Sequence, residues 1–223
     1  MKKFYHSILL AIGIAGLTQF AQALPTLRIF DGTTTVTITD NAAGDSVAAP
    51  GQVAWIGSIG NFTLNVHVGT TFPVIGSLAN PMLDLSFNTV SNGAGGTLVI
   101  SFSADGFGPT NGSAAALIGG TTIGSVTYRT YGGTNNTLFS TSNLLTTQGP
   151  FTTPAFSGAV AGGTVNNQGP YALTQQITIT HTGAGQTTGD ALLSVPDSGT
   201  SVLLLGVGLM GLAALSRFRA LFT

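Results

Sequence analysis

From Leu24 to Val195 the apolar residues recur with a period of two. In Asn61 to Val68, Phe62, Leu64, Val66 and Val68 fall on one side, while Asn61, Thr63, Asn65 and His67 fall on the other. Leu83, Leu85 and Phe87 alternate with Asp84, Ser86 and Asn88, and Leu98, Ile100 and Phe102 with Thr97, Ser101 and Ser103. Val36 and Ile38, then Ile177 and Ile179, repeat the pattern among polar neighbours. Successive side chains of an extended strand point to opposite faces, so this period predicts antiparallel strands with one dry face and one wet face. No segment between Leu24 and Val195 carries an apolar stripe at helical spacing.

Turn residues punctuate the pattern: Asp31-Gly32, Asn92-Gly93, Asn111-Gly112, and Gly-Gly-Thr starting at 95, 119, 132 and 162. The irregular Gly-Gly-Thr spacing argues against a solenoid or propeller. About ten short strands separated by such turns predict an all-β fold, an antiparallel β-sandwich of jelly-roll type, with no internal domain boundary. The segment Gly183 to Gly189 either ends the globule or turns into a last strand at Ala191 to Val195.

Composition agrees. Glycine is abundant, at 32 residues, there is no cysteine, and only six residues are basic against seven acidic. Between Leu24 and Val195 the cations are Arg28 and Arg129, against Asp31, Asp40, Asp45, Asp84, Asp105 and Asp190; two minus six leaves a formal charge of −4. A surface of that sign cannot track a phosphate backbone, which excludes nucleic acid as a partner. Without cysteine there is neither a disulfide framework nor a thiolate metal site.

The two ends differ from the middle. Lys2 and Lys3 precede a short apolar run, Ile8 to Leu17, and Ala21-Gln22-Ala23 is a small-x-small cleavage site. Those three parts in order predict a secretory signal peptide over residues 1–23, cleaved after Ala23. At the other end, Gly199 to Ser216 is free of charge over eighteen residues, roughly 27 Å as a helix at ~1.5 Å per residue. Val202 to Leu215 is apolar all round, so this stretch is expected to span a membrane rather than turn a polar face to water. Arg217 and Arg219 form a basic end that holds the cytoplasmic side. The expected organisation is a signal peptide at 1–23, a β-sandwich ectodomain at 24–194 and a C-terminal sorting segment at 195–223.

The segment Val195-Pro196-Asp197-Ser198-Gly199, followed by one apolar helix and a basic end, resembles the VPDSG-CTERM variant of the PEP-CTERM sorting signals of bacterial surface proteins. The usual family motif is Val-Pro-Glu-Pro, and this chain departs from it at Asp197 and Ser198. The resemblance implies that a membrane-embedded exosortase reads the motif, removes the helix and releases or transfers the mature protein in bacteria that secrete exopolysaccharide. The Leu-Pro-x-Thr-Gly sortase signal is a more distant match, since valine replaces its leucine and serine its threonine. A GPI signal has no basic end. In the middle, GSIGNFTLNVHVG (57–69), AFSGAV (155–160) and ALTQQITITHTGAG (172–185) resemble the ectodomain of a recurring group of PEP-CTERM proteins, which implies the same fold and sorting.

Little in the middle reads as chemistry. No Gly-x-Ser-x-Gly elbow occurs. His67 is expected to be solvated on the polar face of its strand, and His181 to be a strand-end residue satisfied by a backbone carbonyl. Asp40-Asn41-Ala42-Ala43-Gly44-Asp45, with Asp31 nearby, gathers oxygen-bearing side chains, but its spacing fits no calcium motif and a polar hairpin loop is the preferred reading. Trp55, Tyr128, Tyr131 and Tyr171 are the aromatic candidates for stacking on sugars, although Trp55, in VAWIG, is expected in the core. No catalytic, cofactor or metal residue is assigned. The expected function is that of a non-enzymatic exported surface or matrix protein whose partners are an exosortase and exopolysaccharide. A lectin-like carbohydrate-binding module with the same sorting is the alternative, and a secreted hydrolase a distant one.

Overall fold

The computed structural model describes residues 23–196, with backbone alone at 65–67. The expected signal peptide, apart from Ala23, and the expected sorting segment, apart from Val195 and Pro196, lie outside the described residues, as does the expected membrane helix at 199–216.

Among the described residues there are twelve strands and no helix. One six-stranded sheet has the order β2 (Thr35–Thr39), β1 (Thr26–Phe30), β6 (Gly96–Phe107), β11 (Tyr171–His181), β8 (Ser125–Gly133), β9 (Leu144–Phe151). The other has the order β10 (Ala155–Asn167), β7 (Thr110–Thr122), β12 (Gly185–Ser194), β5 (Met82–Ser91), β4 (Phe62–Thr70), β3 (Gln52–Ile59). Every neighbouring pair is antiparallel. From β5 onward the chain passes repeatedly between the sheets, and the last strand, β12, enters the middle of its sheet between β7 and β5.

Both sheets feed one apolar core. Leu27, Ile29, Ile100, Phe102 and Ile177 from the first sheet, and Leu64, Leu83, Leu85, Ala191 and Leu193 from the second, are fully buried in it. Complete burial of the leucine, isoleucine and phenylalanine side chains among them is worth about 1.5–3 kcal/mol each, so alternation on the strands is the dominant instruction in this sequence. The sheets approach closely where a glycine allows it: the ring of Phe102 occupies the space that a side chain on Gly69 would take.

The structure departs from the expected pattern at particular places. The run from Asn61 to Val68 does not keep one parity, because a bulge between Leu64 and Val66 exchanges the faces. Phe62 and Leu64 are buried, whereas Val68 is only half-buried and Gly69 takes the inner position. The expected wet face of β6 is dry at Ser101 and Ser103, both buried. The loop after β8 crosses it: the Phe139 N–H donates to Ser103 Oγ at 3.0 Å and the Gly106 N–H to Asn136 Oδ1 at 2.7 Å. The Arg28 guanidinium, on the same sheet, lies 4.1 Å from the centre of the Phe139 ring.

Three expected turns lie inside strands. Asn111-Gly112 and Gly119-Gly120 belong to β7, and Gly162-Gly163 sits at a bulge in β10. These glycines admit a close backbone rather than reverse the chain. A side chain on Gly162 would meet the Leu145 carbonyl of β9, and one on Gly120 the Thr188 carbonyl of β12. The segment from Gly183 does become a strand, and it begins already at Gly185.

Candidate functional site

The end of β12 carries the beginning of the sorting segment. Ser194 is paired on both sides, with Met82 of β5 and Ala115 of β7. The next residue, Val195, is 0% exposed and belongs to the core, and its N–H donates to the Pro81 carbonyl at 3.1 Å. Pro196 is exposed, yet its carbonyl lies where a side chain on Gly112 would be. The buried core therefore runs one residue into the segment expected to begin at 195. Asp197, Ser198, Gly199, Arg217 and Arg219 lie outside the described residues. At the opposite end Ala23 is buried, Ala21 is outside the described residues, and the Leu24 N–H donates to Asp105 Oδ1 at 3.2 Å.

A carboxyl pair that the sequence did not reveal occupies the outer face of the second sheet. Asp84 of β5 stands opposite Leu192 of β12, and Asp190 stands opposite Ser86, so the two acids are diagonal neighbours. Their carboxyls share a hydrogen bond. Burial, then that bond, then the Asp190 charge push Asp84 up to about 7. Ser86 Oγ donates to Asp190 Oδ2 at 2.7 Å. Beside them is an open cleft of about 410 Å³ lined by Leu117, Gly119, Ser157, Ala159, Asp190 and Leu192. The pair can hold a proton near neutral pH. Each acid sits alone in its own strand among apolar neighbours, so only the register of β5 on β12 brings them together.

The second polar cluster is internal. His181, only 3% exposed, lies between two hydroxyls, with Nδ1 2.7 Å from Ser91 Oγ and Nε2 2.7 Å from Thr187 Oγ1. Ser91 Oγ donates to the Gly183 carbonyl at 2.8 Å, so the hydrogen between Ser91 and His181 comes from Nδ1. Nε2 then accepts from Thr187, which accepts in turn from Thr122 at 2.7 Å. Burial pushes the imidazole below the ordinary histidine range, in keeping with this neutral arrangement. The expectation for His181 is corrected: two side-chain hydroxyls, not a backbone carbonyl, satisfy it. A serine whose proton points away from the histidine is arranged opposite to an activated nucleophile. The His67 side chain lies outside the described residues.

The remaining candidates turn inward or serve their own loops. Asp40 Oδ2 accepts from the Gly51 N–H at 2.8 Å and Oδ1 from Asn41 Nδ2 at 2.9 Å. Asp45 accepts from the N–H groups of Asn41, Val47 and Ala54. Asp31 Oδ1 accepts from the N–H groups of Thr33 and Thr34, which holds its carboxyl below the usual range. These carboxylates tie down turns. Tyr128 and Tyr171 are fully buried and Tyr131 nearly so, which removes the tyrosines from any sugar-stacking surface. Tyr128 donates to Gln175 Oε1 at 2.8 Å, inside the core. Trp55 is half-buried against the core and lies over Gly57.

Comparison with known proteins bears on the C-terminus. The VPDSG-CTERM motif, a PEP-CTERM-like exosortase sorting signal, is found at residues 194–219. No curated protein matches the chain in sequence. Among solved structures, an arabinose-bound α-L-arabinofuranosidase is 18% identical over 70% of this chain, at a TM-score of 0.30; the match spans 25% of that enzyme. A family 35 carbohydrate-binding module from Clostridium thermocellum is 15% identical, at a TM-score of 0.26, over 64% of this chain and 96% of the module. The C-terminal CBM6 of a marine laminarinase from Zobellia galactanivorans is 11% identical, at a TM-score of 0.23, over 63% of this chain and 98% of that domain. Superpositions this loose carry no functional implication.

Proposed function

We propose that this is an exported cell-surface protein, processed at its C-terminus by an exosortase, whose β-domain works without catalysis in association with exopolysaccharide. The observation that carries the reading is the VPDSG-CTERM motif at 194–219, which follows the last strand without a linker. The last strand and the matched signal share Ser194 and the core includes Val195, so the domain is delivered whole when the cut falls inside the signal rather than at its start.

The strand order supports a jelly-roll sandwich. Taken alone, β5 to β12 form the four-strand orders β10-β7-β12-β5 and β6-β11-β8-β9, the arrangement of two interlocked Greek keys. The side chains support a non-catalytic role. Glycosidases hold two carboxyls about 5–5.5 Å apart for retention, or about 6.5–9.5 Å for inversion, to fit the sugar and water between them. Asp84 and Asp190 touch through a hydrogen bond, which leaves no such gap.

The test is made in the native host. Intact mass of the surface form should show a C-terminus short of Thr223, whereas Pro196→Ala with Asp197→Ala should accumulate at full length in the inner membrane. A wild-type surface form ending at Thr223 would mean a plain anchor. For the matrix role, the protein should co-sediment with the cell's own exopolysaccharide, and equal recovery from an exopolysaccharide-deficient strain would count against it.

A further inference from the structure

The first residue of the sorting motif is also the last residue of the core. We propose that the folded β-domain limits where the chain is cut: Val195 and Pro196 remain with the mature protein, and the exosortase acts only beyond Pro196. The inference rests on the processing reading above and adds a boundary to it.

Three contacts hold this boundary. Ser194 is bonded into β12, which has a neighbour on each side, so a bond at or before Ser194 becomes accessible only if a central strand leaves its sheet. Val195 has no exposed surface and is pinned by its N–H to the Pro81 carbonyl. The Pro196 carbonyl is packed on Gly112, an inner position of β7 that has no side chain to push it away. Hydrolysis or transfer at a peptide bond requires access to its carbonyl carbon. That carbon bonds to the oxygen of water or to an acceptor amine, the C–N bond breaks, and the departing nitrogen takes up the proton. The carbonyls of Ser194 and Val195 belong to a segment docked between the strands and Pro81, and that of Pro196 faces Gly112, so the fold withholds the bonds that follow these three residues from an enzyme.

Two consequences follow for the motif. Its valine acts through the stability of the domain, whereas the residues after it are the part an exosortase reads on a folded substrate. Cleavage upstream would also delete a core residue from the mature protein, and cleavage downstream leaves the core complete.

The experiment has three arms. Intact mass of the surface form should give a C-terminus at Asp197 or later and short of Thr223; an end at Pro196 or earlier overturns the proposal. The full chain with Val195→Ala, purified in detergent, should unfold roughly 4–8 °C lower than wild type; an unchanged Tm overturns the buried role whatever happens to processing. In a third chain, Gly-Ser-Gly-Ser and a second Val-Pro-Asp-Ser-Gly replace Asp197-Ser198-Gly199, with residues 200–223 kept, separating the two roles. There Val195→Ala should lower Tm while leaving the yield of processed protein within twofold, and a processed yield that falls tenfold with the inserted motif intact overturns the separation. A wild-type chain that retains Thr223 while Val195→Ala still lowers Tm locates the failure in the processing reading, not in the packing of Val195.

Discussion

Asp84 and Asp190 face each other diagonally across β5 and β12 and share a hydrogen bond between their carboxyls. The folded protein therefore keeps a proton that the unfolded chain gives up. With Asp84 moved from 3.8 to about 7, the native state binds more protons than the unfolded state throughout that interval. Stability from this source is fully present below about pH 4 and is lost as pH rises through 7. Asp84→Asn, which keeps a hydrogen-bond donor beside Asp190, should raise Tm at pH 8 by an amount on the order of 2–4 °C and leave it nearly unchanged at pH 4. Thermal unfolding of both proteins across that range checks it, and a gain of equal size at both pH values would sink the shared-proton assignment.

His181 works in the opposite direction. Burial lowers it from 6.5, so the unfolded chain takes up a proton first as the solution is acidified. Its contribution is intact above about pH 6.5 and declines below that. His181→Ala takes the acceptor from the Thr187 hydroxyl and the donor from Ser91 Oγ and should cost about 1–3 kcal/mol at pH 7.5, with a smaller penalty at pH 5. Because the role is structural, the processed protein should still reach the surface. Denaturant melts at the two pH values, with immunodetection on whole cells, give both readings.

Gly69 tests the packing of one sheet on the other. Gly69→Ala pushes a methyl group into the Phe102 ring and should destabilise by about 1–3 kcal/mol. Gly93→Ala, at a turn where nothing crowds the added atom, is the control and should stay within about 0.5 kcal/mol. Equal effects would mean that the sheets do not meet at Gly69.

Metal removal should leave the domain unchanged. The Asp40 and Asp45 oxygens are engaged by Gly51, Asn41, Val47 and Ala54, and Asp31 by its own turn. Excess EDTA should shift Tm by less than about 1 °C, since only a ligand bound to the native state raises stability by mass action. A calcium-dependent rise of several degrees would show that the loop opens to take an ion.

Period two along the chain determined that the described domain is all-β, because burying alternate side chains is the only way such a pattern can leave water. The same local order made the C-terminal motif legible at Val195 to Gly199, since a sorting signal is read as a contiguous segment. Other features depended on which strands became neighbours. The Asp84–Asp190 pair and the Ser91–His181 hydrogen bond join residues far apart in sequence, and a register shift of one residue would have turned each acid to the other face. The bulge after Leu64 and the glycines inside β7 and β10 also escaped the pattern, because a glycine that ends a strand and one that admits a neighbouring backbone look alike in sequence. Val195 shows both levels at once. Its place in the motif is a property of the sequence, and its burial exists only because β12 enters between β5 and β7 and carries it against Pro81.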